Sequence, residues 1–326
     1  MQNHAVDRLT YENLIDTENI ASLTHGYLLN CRCEGKSPKT MSNYAGVLKN
    51  FLWYCRENSF PSVSKLTAVH LRHLFWYLGS EKNRWGTNNP SSRKPASLTT
   101  VHTYHKVLRS FFNWLEREQL IHDNPFSHLE TPKMEKKFVQ ALNVVEIRRL
   151  FNTCSVRAAL AIRNKAILSV FLDTGLRVSE LAHLTLEDVD IDSGSILVRH
   201  GKGGKQRVVH IGSRAQKALW RYVSIYRKGT SSRLFMNRTG EPLDAVGIKI
   251  LVKRMGDRAK VKVSPHKLRH TFAISYLRAG GDVFSLQYLL GHTTLQMTQR
   301  YLQSLNADDA VNAHRKFSPL DNLGVW

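Results

Sequence analysis

The chain has 326 residues, 42% of them hydrophobic, enough to fill the cores of about two ordinary domains. Lys and Arg number 47 against 26 Asp and Glu, a formal net charge of +21 that calls for a polyanionic partner. No run nears the ~18 apolar residues of a membrane span, and the basic residues are spread along the chain, which favours nucleic acid over a membrane surface.

Residues 1–10 are polar and lack a signal-peptide core, so a soluble, cytoplasmic protein is expected, with no membrane partner. Residues 17–33 read as a first helix. Ser37 and Pro38 look like an N-cap and first helical residue, followed by Tyr44, Val47, Leu48, Phe51 and Leu52 at helical period. Thr67 caps a third helix, residues 83–97 form a polar loop, and a fourth helix runs over 98–118. Four such helices make a small bundle. Two prolines, Pro125 and Pro132, and a charge run then mark a linker.

The second half mixes periods. Asn143 starts a helix, residues 157–174 form another ending at Gly175, and 179–184 a short third. Residues 188–211 alternate as a three-stranded antiparallel sheet with turns at 192–194 and 201–204, and helices follow. The expected division is a tail 1–15, a helical domain 16–120, a linker 121–137, an α+β domain 138–305 and a tail 306–326.

Four places join cationic or nucleophilic groups to structural punctuation. Arg177 follows the helix stop at Gly175. Lys202, Lys205 and Arg207 surround a glycine-rich hairpin tip, where backbone can approach a phosphate. Ser264 and Pro265 open a helix whose first turn holds His266 and Arg269, and a helix N-terminus favours an anion. His292 follows the stop at Gly291, and Tyr301 lies nine residues on. The helix start with Lys39, Thr40 and Asn43, and the loop residues Arg93 and Lys94, are further candidate DNA contacts. Cys31, Cys33, Cys55 and Cys154 form no CxxC pair and read as free thiols. His266 and His270 are spaced like zinc ligands but carry Lys267 where a zinc-protease motif needs Glu, so no metal is expected.

Arg177, Lys202, His266 with Arg269, His292 and Tyr301, in that order and with Thr174-Gly175-Leu176-Arg177-Val178-Ser179-Glu180-Leu181 around the first, resemble the signature of the tyrosine recombinases, the phage integrase family, and most closely its Xer-like members. The resemblance spans roughly residues 16–305. It implies a mainly α fold with a small antiparallel sheet, a four-helix core-binding domain and an α+β catalytic domain closing as a C-shaped clamp on DNA. It implies those six residues as the catalytic set, with Tyr301 as nucleophile and a 3′-phosphotyrosine intermediate. It implies no cofactor. The partners it implies are double-stranded DNA at a specific site, a homotetramer on two duplexes that is monomeric without DNA, and accessory recombination proteins, with the tail 306–326 docking on a neighbouring subunit. The competing readings are a type IB topoisomerase and a DNA-binding protein without catalysis.

Overall fold

Short polar side chains at the helix starts settle much of the secondary structure. In the computed structural model, which describes residues 19–60, 62–87, 89–133, 140–155, 159–199, 206–305, 309–311, 314 and 318, Asn19 caps α1 (Ile20–Cys33) and the Ser37 hydroxyl accepts from the Thr40 N–H at the head of α2 (Pro38–Glu57). Thr67 precedes α3 (Ala68–Ser80), its N–H donating to His70 Nδ1, and the Ser97 hydroxyl caps α4 (Leu98–Arg117). The Asn19, Ser37 and Ser97 caps each satisfy a backbone donor that the first helical turn leaves open, typically worth ~1 kcal/mol.

The chain divides into two units, Met1–Lys136 and Lys137–Trp326. In the first, α1 to α4 close over a core that includes Leu23, Phe51, Leu74, Phe111 and Phe112. Two sequence expectations change here. The loop 83–97 is not polar throughout: Trp85 is buried and its ring stacks on Tyr104, with centroids 5.8 Å apart and planes 6° apart. Trp85 holds φ at +69°, a left-handed conformation costing ~1–2 kcal/mol, and burial of its large ring offsets that cost. Arg84 beside it is also buried and donates to the carbonyls of Leu78 and Ser91. Likewise, the segment expected as linker contributes to this core: Pro125–His128 is a 3-10 turn, and Ile121 and Phe126 are buried. All four cysteines are free.

The second unit begins with α5 (Val144–Asn152), where Asn143 and Glu146 cap each other's N–H groups at 2.9 Å. Then come α6 (Ala159–Thr174) and α7 (Val178–His183). A three-stranded antiparallel sheet follows in the order β1 (Val189–Asp190), β2 (Ser195–Val198), β3 (Arg207–His210), with Ile196 opposite Val209 and Val198 opposite Arg207. The remaining α-helices among the described residues are α8 (Ser213–Arg221), which runs into a π-helical turn at Tyr222–Tyr226, α9 (Ala245–Ala259), α10 (Pro265–Arg278), α11 (Val283–Leu290) and α12 (Leu295–Leu302). The core is built on α6, whose Ile167, Leu168, Val170 and Phe171 are fully buried. Gly175 ends α6 at φ +61°, where a Cβ would collide with Phe272 of α10 and press on Leu290 of α11. Only glycine lets these three helices meet there, and the turn it makes delivers Arg177 to the same place.

Candidate active site

The end of α11 organises the site. A helix leaves its last four carbonyls without intrahelical donors. Gly291, at φ +61°, closes a Schellman turn: its N–H donates to Tyr288 O at 2.9 Å and the His292 N–H to Gln287 O at 3.1 Å. The next three carbonyls each receive a different arginine. Arg207 Nε donates to Leu289 O at 2.7 Å, Arg269 Nη2 to Leu290 O at 2.7 Å, and Arg177 Nη2 to Gly291 O at 3.2 Å. The negative end of the helix dipole suits these cations.

Arg269, 4% exposed, also donates through Nη1 to Gly175 O at 2.7 Å and through Nη2 toward His292 Nε2 at 3.0 Å. Burial, with Arg177 nearby, pushes its pKa down to about 10, so it stays cationic at neutral pH. Arg177 is half-buried, with 26% of its side chain exposed. Its Nη1 donates to Glu180 Oε1 and its backbone N–H to Glu180 Oε2, both at 2.8 Å.

Glu180, 3% exposed, was no site candidate in the sequence, yet it binds two arginines: Arg207 Nη1 and Nη2 reach its oxygens at 3.0 and 2.9 Å. Burial raises its pKa, but hydrogen bonds from Arg207 and Arg177 outweigh that and hold it below the usual glutamate value. A signal was available, since Glu three residues after the residue preceding a helix is a capping-box position. Arg207 needs a correction. Expected as a phosphate contact, it is 5% exposed with its fork spent on Glu180. Strand side chains alternate faces, and Arg207 shares its parity with the buried Val209 and Ile211, while Val208 faces out. This alternation could have placed it.

His292 is fixed by three neighbours. Its Nε2 accepts from Arg269, so the ring proton sits on Nδ1 and is donated to Thr298 Oγ1 at 2.8 Å. Thr298, fully buried, is a second residue the sequence reading missed. The Tyr301 ring, 7% exposed, lies parallel to His292, with planes 5° apart and centroids 6.1 Å apart, and meets His270 at 5.2 Å. Arg177, Arg269, His292 and Tyr301 therefore converge. His266 is exposed at the head of α10, on the turn before Arg269. Lys202 and Lys205 lie outside the described residues. Lys39, Asn43, Arg93 and Lys94 are exposed in the first unit, and Thr40 is half-buried with its hydroxyl on that of Ser37 at 2.9 Å. The tail residue Asp309 takes a two-toothed ion pair from Arg278 of its own chain, at 3.0 and 3.2 Å.

Burial, with Arg269, Arg177 and Arg207 adding, pushes the His292 pKa from 6.5 down to about 4. Between those values the unfolded chain binds a proton that the folded one refuses. The associated stability is full above the unfolded value and is lost as pH falls toward the folded one. Urea midpoints should drop further from about pH 7.5 to about pH 5 for the wild type than for His292→Gln. Equal drops would mean a solvated, unperturbed ring.

Residues 140–307 match the phage integrase family. Tyrosine recombinase XerC from Bacillus pumilus is 40% identical over 275 residues, 81% of this chain and 86% of the relative. XerC from Oceanobacillus iheyensis is 35% identical over 295 residues, 88% and 92% of the two chains. Among solved structures, the XerH site-specific recombinase bound to palindromic difH substrate superposes with a TM-score of 0.68 at 21% identity, over 93% of this chain and 85% of that one. The Tn1549 transposon integrase with transposon right end DNA gives a TM-score of 0.71 at 18% identity, over 92% and 99%. With half its length matched by the family and most of it by the XerC proteins, this chain belongs to the phage integrase family of tyrosine recombinases.

Proposed function

We propose that the protein is a site-specific DNA recombinase that cuts and rejoins strands through a 3′-phosphotyrosine at Tyr301. The observation that carries this reading is the convergence of Arg177, Arg269 and His292 beside the Tyr301 ring. Attack of a hydroxyl on a phosphodiester builds a five-coordinate phosphorane with added negative charge. Guanidinium forks that stay charged at working pH neutralise its non-bridging oxygens, and each such preorganised donor is typically worth ~10²–10³ in rate.

Tyr301 Oη bonds to phosphorus while the bond to the 5′-oxygen breaks. The phenolic proton passes to a base, a role we assign to His266, and the departing 5′-oxygen takes a proton from Lys202. The phosphotyrosine keeps the energy of the broken bond, so a 5′-hydroxyl from a second strand displaces Tyr301 and restores the phosphodiester without ATP. His292, whose Nε2 is occupied by Arg269 in the free protein, becomes a donor to the phosphate when that anion raises its pKa. Double-stranded DNA is the partner that the +21 charge and the family support. A tetramer on two duplexes, accessory recombination proteins, the exposed Lys39, Asn43, Arg93 and Lys94 as DNA contacts, and service to a mobile element complete the proposal.

The test is a duplex carrying the site mapped in the native genomic neighbourhood, nicked next to the cleavage position so that the product cannot religate. An SDS-resistant protein–DNA adduct is expected, followed by strand exchange between two intact site-bearing duplexes. No adduct would leave a binding protein. An adduct with supercoil relaxation but no exchange would leave a topoisomerase.

A further inference from the structure

We infer that Arg207 is a positioning residue for the cleavage step, aiming the Arg177 fork through Glu180 and fixing the His292 turn through the carbonyl of Leu289. The inference rests on the proposed role of Arg177 at the phosphate. It starts from a buried guanidinium that no step of the reaction uses. Arg207 gives Nη1 and Nη2 to the two oxygens of Glu180 and Nε to Leu289 O. Both oxygens of Glu180 also hold Arg177, one through the side chain and one through the backbone.

Glu180 alone could not do this. Without Arg207, both contacts of the carboxylate would come from Arg177 itself, so no second residue would fix where that fork points; Arg207, on a different element, adds a bond to each oxygen and supplies that reference. Arg207 stands on β3, so its grip ties the sheet to α7, which carries Glu180, and to the end of α11. Gly291 is part of the same arrangement: a Cβ there would lie 3.0 Å from Arg207 Nη1 and 3.2 Å from Cζ, so the guanidinium plane packs flat against the turn that leads into His292. The charges balance locally too. Glu180 neutralises Arg207 while leaving Arg177 and Arg269 as excess positive charge for an incoming anion.

A residue that merely holds the fold together would slow every substrate alike. A residue that aims a phosphate-neutralising cation would not. Replacing one non-bridging oxygen of the scissile phosphate by methyl, a methylphosphonate, removes the negative charge the arginines serve. Replacing the bridging 5′-oxygen by sulfur gives a leaving group of low pKa that no longer needs a proton donor. Single-turnover adduct formation on the three duplexes separates these cases. Arg207→Lys is expected to cleave the ordinary phosphodiester about 10–100-fold more slowly than wild type with affinity for DNA within about threefold. On the methylphosphonate the deficit should shrink to about threefold or less, and on the phosphorothiolate it should persist.

Equal deficits on all three duplexes, or relief by sulfur alone, would overturn the inference. Arg177→Ala is run alongside. If methylphosphonate fails to ease that deficit, the phosphate role of Arg177 falls and this inference with it; if it eases Arg177→Ala but not Arg207→Lys, only the inference falls. Because removing Arg207 strips two bonds from the buried Glu180 carboxylate and leaves Arg177 as its remaining cation, Arg207→Met is also made in a Glu180→Leu background, which removes both partners together. If Arg207 aims Arg177 through Glu180, the part of the deficit that methylphosphonate relieves should be no more than about threefold larger in the double variant than in Glu180→Leu alone, the remainder being the lost bond to Leu289 O; a fully additive loss of the relieved part would refute that route.

Discussion

Tyr301→Phe is expected to form no covalent adduct while binding DNA as the wild type does, within about twofold. The substitution removes one oxygen and leaves the ring, which is what the surrounding structure grips: His292 lies parallel to it and His270 meets it at 46°. Aromatic contacts of this kind contribute ~0.5–1.5 kcal/mol each and survive the change, so stability should move little. The loss should therefore appear only in chemistry. SDS gels with the nicked duplex measure the adduct and mobility shifts measure binding. An adduct at wild-type yield would take the nucleophile's role from Tyr301. The neighbouring tyrosines are poorly placed to inherit it: Tyr288 is exposed on α11, and Tyr276 packs against the Phe272 ring.

Arg269→Met combines a catalytic and a structural loss. Single-turnover cleavage should fall at least ~10²–10³-fold, the range for removing one preorganised donor. The variant also strips donors from Gly175 O and Leu290 O, both at buried helix ends. An orphaned buried acceptor costs roughly 1–3 kcal/mol, partly offset by no longer burying a cation. Unfolding free energy should fall by a few kcal/mol on that reckoning. One further readout ties the effect to this site. His292 loses the strongest of the neighbouring charges that depress it, so its titration, followed by NMR, should move up from about 4 toward the ordinary 6.5. A His292 that titrates as before would contradict the contact.

What the sequence made legible was what depends on neighbours along the chain. Ser37, Asn143 and Ser264 cap helices where their short polar side chains imply, and Gly175 and Gly291 stop helices where only a left-handed residue fits. Those stops, with the residues just past them, also pointed to Arg177 and His292. What stayed hidden depends on partners distant in sequence. The bond from Arg177 to Gly291 O spans 114 residues, that from Arg207 to Leu289 O 82, and that from Arg269 to Leu290 O 21. A charged residue beside a glycine-rich tip reads as a phosphate contact until the face of its strand is fixed, which is why Arg207 was placed outside. Trp85 was lost in a polar loop for a similar reason: nothing within residues 83–97 announces the aromatic rings of Trp53, Tyr77 and Tyr104 that receive it.

Hanging three cations on consecutive carbonyls makes them mechanically one object. The end of α11 thus offers one row of acceptors common to all three guanidiniums, while Glu180 and the Gly175 carbonyl hold the same side chains from α7 and the end of α6.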